Sequence, residues 1–237
     1  MSLKDDLAAD VNNILAQEWN IRDGQVVPKT QDVVLAGGAV RLIVTMLYAD
    51  LADSTELVIE YDRRVAAKVI KCFLTCCSKI IRARGGEIRS FDGDRVMGVF
   101  IGNAKNSMAA KCALNINYAF RQIIKPKLEA KYDSLKSGSY KLAHTSGVDT
   151  SEVLVVRGGI RDNNDLIWIG RSPNVAAKLS AIREEGYCSY VTKAVFDQLN
   201  EESKYGGPHK KLMWEARTWK TVPAIGTVYR SNWSWEP

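Results

Sequence analysis

The chain has 237 residues, of which 46% are hydrophobic and 25% charged, with a formal net charge of +6. That is enough for a sizeable core, and no apolar run approaches the ~18 residues of a membrane span. The start, Met1-Ser2-Leu3-Lys4-Asp5-Asp6, has no apolar signal region, and the five cysteines are odd in number, so reduced thiols and a cytoplasmic location are expected. The basic residues are spread along the chain without interleaved aromatics, which argues against a nucleic-acid platform.

Residues 1–38 read as an extension. Leu7, Val11, Ile14 and Leu15 have helical spacing, a pattern that suits packing on the main domain or on a second subunit, and Gly24, Pro28 and Gly37-Gly38 break the stretch after this helix. The main domain is expected over 39–237. Arg41 to Ala49 is apolar and β-branched, a buried strand. Val65, Val69, Phe73, Cys77 and Ile80 recur at helical spacing until Gly85-Gly86 stops them. The cysteines in this helix, Cys72 and Cys76 included, are expected as core residues rather than as metal ligands. A hairpin covers Glu87 to Ile101. Met108, Cys112, Ile116, Phe120 and Ile123 mark a second helix, halted near Pro126. A polar loop then covers Lys131 to Gly138. Strands at 140–148 and 152–156 flank Asp149. Gly158-Gly159 and residues 162–165 make a turn, Leu166–Ile169 a short strand and Ser172–Arg183 a helix. Strand, helix and strand follow towards Tyr229. The fold class is α+β, with a ferredoxin-like βαββαβ core and a short N-terminal helical extension.

Two stretches concentrate acids. Asp50 and Asp53 follow the first strand, and Asp92 and Asp94 sit at the bend of the hairpin. Carboxylates at a strand end facing an acidic turn suit Mg²⁺ or Mn²⁺, which prefer oxygen ligands. Each acid has a plainer use: Asp50 as a helix cap, Asp94 as a turn residue.

Four segments in order resemble the class III nucleotide cyclases: Asp50 to Thr55, Gly93-Asp94 before an apolar strand, Gly147 to Val153, and Gly170-Arg171-Ser172-Pro173-Asn174-Val175-Ala176-Ala177-Lys178. The resemblance implies two divalent metal ions (Mn²⁺ or Mg²⁺) at Asp50, the Leu51 carbonyl and Asp94. It implies a triphosphate cradled by backbone amides of Asp53, Ser54 and Thr55, with Lys220 as a further phosphate contact. Asn174 would come from the partner of a homodimer with composite sites. The family usually has Arg four residues after that Asn; here it is Lys178, with Arg171 and Arg183 as other candidates. The purine-reading positions are Ser90 and Ile167, neither of which is a purine reader. That departure resembles the bacterial anti-phage pyrimidine cyclases, which implies UTP, or else CTP, as substrate and a separately encoded effector that binds the cyclic product. Tyr48 and Arg89 are candidate base contacts. A non-catalytic nucleotide-binding or dimerisation module, and a purine cyclase with unusual base contacts, are the alternatives.

Overall fold

The computed structural model describes residues 2–237. In chain order its elements are α1 (Leu3–Leu15), β1 (Asn20–Asp23), β2 (Gly38–Leu51), α2 (Ser54–Glu60), α3 (Arg63–Ala83), β3 (Glu87–Asp92), β4 (Arg95–Phe100) and α4 (Lys105–Ala119). A π turn, Phe120–Ile124, leads into α5 (Lys125–Lys131). Next come α6 (Asp133–Ser137), β5 (His144–Ile160), β6 (Asn163–Gly170), α7 (Arg171–Ser180), β7 (Ser189–Thr192), α8 (Lys193–Phe196) and α9 (Glu201–Lys204). The chain ends with β8 (Tyr205–Gly206), β9 (Lys211–Leu212), β10 (Glu215–Thr218) and β11 (Thr227–Ser231).

These elements form two compact units, one of residues 1–43 and 152–170, the other of 44–151 and 171–237. In the smaller unit β1 runs parallel to the start of β2, Asn20 opposite Gly38, and the end of β5 pairs antiparallel with β6. Thr30 Oγ1 donates to Asp165 Oδ1 at 3.0 Å. Helix α1 opens with a capping box between Ser2 and Asp5, yet none of its residues is buried, and Leu7, Val11 and Ile14 are exposed.

In the larger unit the strand order is β10-β11-β7-β5-β2-β4-β3. The run β5-β2-β4-β3 is the order expected of a βαββαβ core, whose crossovers here are α3 and α4. Helices α3 and α4 cover one face. Leu47, Ala49 and Leu51 of β2 and Val96 and Phe100 of β4 pack there against Val69, Phe73, Cys77 and Ile116. Side chains alternate along a strand, so Tyr48 and Asp50 of β2 lie on the opposite face. At Gly147 of β5 an added Cβ would stand 2.3 Å from the Ala176 carbonyl oxygen. Only glycine lets α7 lie this close to the strand.

Several sequence expectations are corrected. The second helix does not halt at Pro126. The π turn has already shifted the hydrogen-bond ladder, and Pro126 falls in the first turn of α5, where a missing N–H costs little. The expected polar loop over 131–138 contains α6, held by the buried Leu135. The two strands around Asp149 are one continuous strand, β5, and Tyr140 lies outside it. The Asn174 helix ends at Ser180, which leaves Arg183 beyond it. Cys77 and Cys112 are core residues, but Cys72 is exposed and Cys76 half-buried.

Candidate active site

The β3–β4 hairpin turns through Gly93 at φ +60, a conformation glycine reaches without steric cost. This brings Asp92 opposite Arg95, and Arg95 is also paired with Asp50 of β2. One row across the sheet therefore reads Asp50–Arg95–Asp92. The next row, two residues along, reads Tyr48–Met97–Ser90. The register set by the turn puts Ser90 opposite Met97, and it shifts only beyond that pair, between Ser90 and Ile88. The Tyr48 hydroxyl reaches the Met97 sulfur at 2.8 Å, and burial raises the Tyr48 pKa.

Asp50 is 5% exposed. Arg95 Nε donates to its Oδ1 at 3.3 Å and Arg183 Nη2 to its Oδ2 at 3.0 Å. Arg183 also lies 3.4 Å from Asp53. Asp94 sits in the hairpin turn and accepts a hydrogen bond from Ser54. Burial, and to a smaller extent the charge of Asp50, raise its pKa. Its Oδ2 is buried without a hydrogen-bond partner.

That orphaned oxygen is the test of fit for a cation. A buried carboxylate oxygen with nothing to accept from is costly, and a divalent ion satisfies it. Asp50, the Leu51 carbonyl and Asp94 are all hard oxygen donors, the set Mg²⁺ and Mn²⁺ prefer. Among the described residues no group of three His, Cys, Asp or Glu gathers as a self-sufficient metal site. Water or phosphate oxygens would have to complete the coordination.

Asp53 adopts a left-handed conformation, φ 52, as the residue before α2. Ser54 and Thr55 fill the first two positions of that helix, whose amides have no acceptor within the helix. Tyr140 holds this loop by donating its hydroxyl to the Ala52 carbonyl at 2.8 Å. Its own pKa is raised, by burial first and then by the charges of Asp53 and Asp94.

Arg171, Asn174 and Lys178 stand at i, i+3 and i+7 on α7 and form one exposed stripe. Arg171 is anchored by the fully buried Asp149, at 3.0 and 3.1 Å, and by the Thr150 carbonyl. Thr192 holds the same carboxylate at 2.6 Å. Lys178 borders a cavity of about 520 Å³ with Arg217, Trp219 and Tyr190. Lys220 follows the buried Trp219 and is exposed. Ile167 belongs to the smaller unit, on β6 opposite Val156, and is about half exposed.

The structure thus joins Tyr48, Ser90, Asp50, Asp53, Ser54 and Asp94 in one part of the larger unit. Sequence reasoning missed Arg95 and Tyr140 there and had considered Arg183 only as a substitute for the absent arginine. The two-residue turn before Arg95 was a usable signal, because it fixes Arg95 opposite Asp92. The partners of Arg183 and Tyr140 are distant in sequence and left none.

No family model matches the chain. Its fold is that of the class III nucleotide cyclases. A bacterial light-regulated adenylyl cyclase superimposes with a TM-score of 0.70 at 21% identity, over 85% of this chain and 54% of that one. The adenylyl cyclase CyaB from P. aeruginosa gives 0.63 at 21% identity, over 81% and 95%. In sequence, the uridylate cyclase of Rhodovulum sp. (strain MB263) is 48% identical over 100% of this chain and 99% of its own length. That of Xanthomonas perforans is 40% identical over 99% of each. The chain belongs to the uridylate cyclase family.

Proposed function

We propose that the chain converts UTP to 3′,5′-cyclic UMP and pyrophosphate, working as a homodimer with composite sites. The observation that carries this reading is the pair of adjacent rows. Asp50 and the open oxygen of Asp94 lie beside Tyr48, Met97 and Ser90, a surface without the charged side chain that reads a purine. The full-length likeness to uridylate cyclases favours UTP over CTP.

In this reading Asp50, the Leu51 carbonyl and Asp94 hold two divalent ions. When bound, these lower the pKa of the 3′-hydroxyl and neutralise phosphate charge. The amides at 53–55 and Lys220 orient the triphosphate. Asn174 of the partner subunit orients the ribose, and Lys178 of the partner subunit neutralises charge on the transferring phosphorus. The bond from the 3′-oxygen to the α-phosphorus forms as the bond to the pyrophosphate oxygen breaks, and the hydroxyl proton is released. Tyr48 and Ser90 contact the base. The product would act as a second messenger in bacterial antiviral defence, read by a separate effector. A cytoplasmic location accords with this, and among the described residues no helix is long and apolar enough to cross a membrane.

The test gives purified protein each of the four ribonucleoside triphosphates with Mn²⁺ and identifies the product. Cyclic UMP from UTP is expected. Product from CTP, ATP or GTP alone would replace the substrate assignment. Lys178 in place of the usual Arg favours a second reading, a nucleotide-binding module without turnover. Binding of UTP without pyrophosphate release would establish it.

A further inference from the structure

Helix α3 presents two stripes. Val69, Phe73 and Cys77 are buried in the core against the sheet. Lys68, Lys71, Cys72 and Cys76 follow helical spacing on another stripe, which forms one wall of a groove of about 590 Å³ in the larger unit. The π turn and α5 form the other wall, with Ile123, Ile124, Lys127, Leu128 and Lys131. The groove is apolar inside: Ile124 and Leu128 are buried, and Ile123 is 39% exposed.

Its rim is cationic and unopposed. Lys68, Lys71, Lys127 and Lys131 border the groove, and among the described residues no Asp or Glu lines it. Helix α3 has no carboxylate in its 21 residues. Helix α5 has one, Glu129, which lies 3.6 Å from Lys125. Lys68 stands over the Tyr132 ring, 5.8 Å from its centre. Lys68 and Lys71 are three residues apart on one wall, and Lys127 and Lys131 four apart on the other. Like charges at these spacings repel and destabilise their helix. An anion held between the walls relieves both pairs.

We propose that this groove binds a long-chain carboxylate, with its apolar chain along Ile123, Ile124 and Leu128 and its carboxylate among the four lysines. The volume falls in the roughly 300–1,000 Å³ of small-molecule sites, which are apolar with a few polar groups. Lysine is a point charge without the planar fork of arginine, so the rim selects negative charge rather than a bidentate shape. The lysine stems extend the apolar walls while their ammonium groups stay in water. A concave groove encloses a single chain, whereas a flat bilayer surface meets only the rim. The proposed function plays no part in this inference.

The test titrates the purified full-length protein with dansylundecanoic acid, a fluorescent long-chain carboxylate, in the absence of nucleotide and metal. One saturable site per chain is expected, with palmitate as a competitor. Undecanol, an apolar chain without the charge, should compete about tenfold more weakly, and UTP should not compete. Lys71→Ala/Lys127→Ala/Lys131→Ala should weaken binding about tenfold or more. All three lysines are exposed, so this variant should fold, and its melting temperature checks that it does. Ile123→Glu sets a carboxylate in the groove and should abolish binding, while Ile123→Leu should keep it. No saturable binding, or binding unchanged in both the lysine variant and Ile123→Glu, overturns the proposal. Displacement by UTP would move the ligand to the active site and overturn it too. Binding to anionic vesicles alone would make this face a membrane contact. Self-association lost in Ile123→Glu, without binding of the acid, would make it an interface between copies. Either of these last results also overturns the assignment.

Discussion

The hairpin end of the larger unit and the exposed face of α7 differ in how completely they are wired within the chain. At the hairpin end Asp50 is buried between two guanidinium groups, Ser54 holds Asp94, and Tyr140 fixes the loop between them. On α7 Arg171 is anchored to Asp149, while Asn174 and Lys178 are exposed, and among the described residues no ion pair holds Lys178. One region has its acids held by its own chain, apart from the open oxygen of Asp94. The other has its backbone fixed, by the close contact at Gly147, with its polar groups at the surface. In the proposed dimer these become the two halves of one site, and each can be broken separately.

The largest effect is expected at the prepared half. Asp94→Ala should lower pyrophosphate release from UTP by about 10³-fold, because removing one charge-stabilising group in a reaction centre costs on that scale. Circular dichroism should show the fold retained; undiminished activity would place the metal site elsewhere. Mixing gives the next effect. Asp94→Ala and Asn174→Ala, each inactive alone, should recover about a quarter of the wild-type rate in equimolar mixture. Random pairing makes half the dimers mixed, and each mixed dimer has one intact site of two. No recovery after subunit exchange would deny that the halves come from different chains.

A smaller effect concerns stability in acid. The pKa of His144 is held near 3, below its ordinary value of 6.5, by burial first and then by Arg183. His144 borders a cleft lined also by Arg121, Lys125 and Lys141 and by Asp53, Glu184 and Glu185, and Phe73 and Phe120 pack on its ring. Stability from burying the neutral ring is present above pH 6.5 and is lost as pH falls towards 3. The melting temperature of the wild type should therefore drop more steeply than that of His144→Phe over this interval. Parallel curves would mean that His144 is already solvated. The smallest effect is on α7: Lys178→Arg should change kcat by about two- to fivefold, upward if a bidentate contact to phosphate is restored. A large loss would show that Lys178 serves a geometry the guanidinium cannot match.

Much of this was readable in the sequence where local pattern determines structure. The alternation in β2 separates Leu47, Ala49 and Leu51 from Tyr48 and Asp50, and Gly93-Asp94 marks its own turn. The spacing of Arg171, Asn174 and Lys178 on one helical stripe follows from 3.6 residues per turn. What escaped depends on contacts between distant residues. Pro126 is a reliable helix stop only while the ladder keeps its register, and the π turn before it changes that register. The separation of β5 into two strands followed the polar Asp149, whose charge is satisfied by Arg171 and Thr192 from elsewhere. The burial of His144 and the reach of Arg183 across 133 positions to Asp50 have no local signature.

The bridge from Arg183 to both Asp50 and Asp53 has a consequence for how such a centre would be loaded. A carboxylate whose charge is already shared between two guanidinium groups offers a bare ion little net attraction. Uptake becomes favourable when a polyanion draws Arg183 away. Loading at Asp50 would then follow the supply of nucleotide more closely than the supply of Mg²⁺ or Mn²⁺.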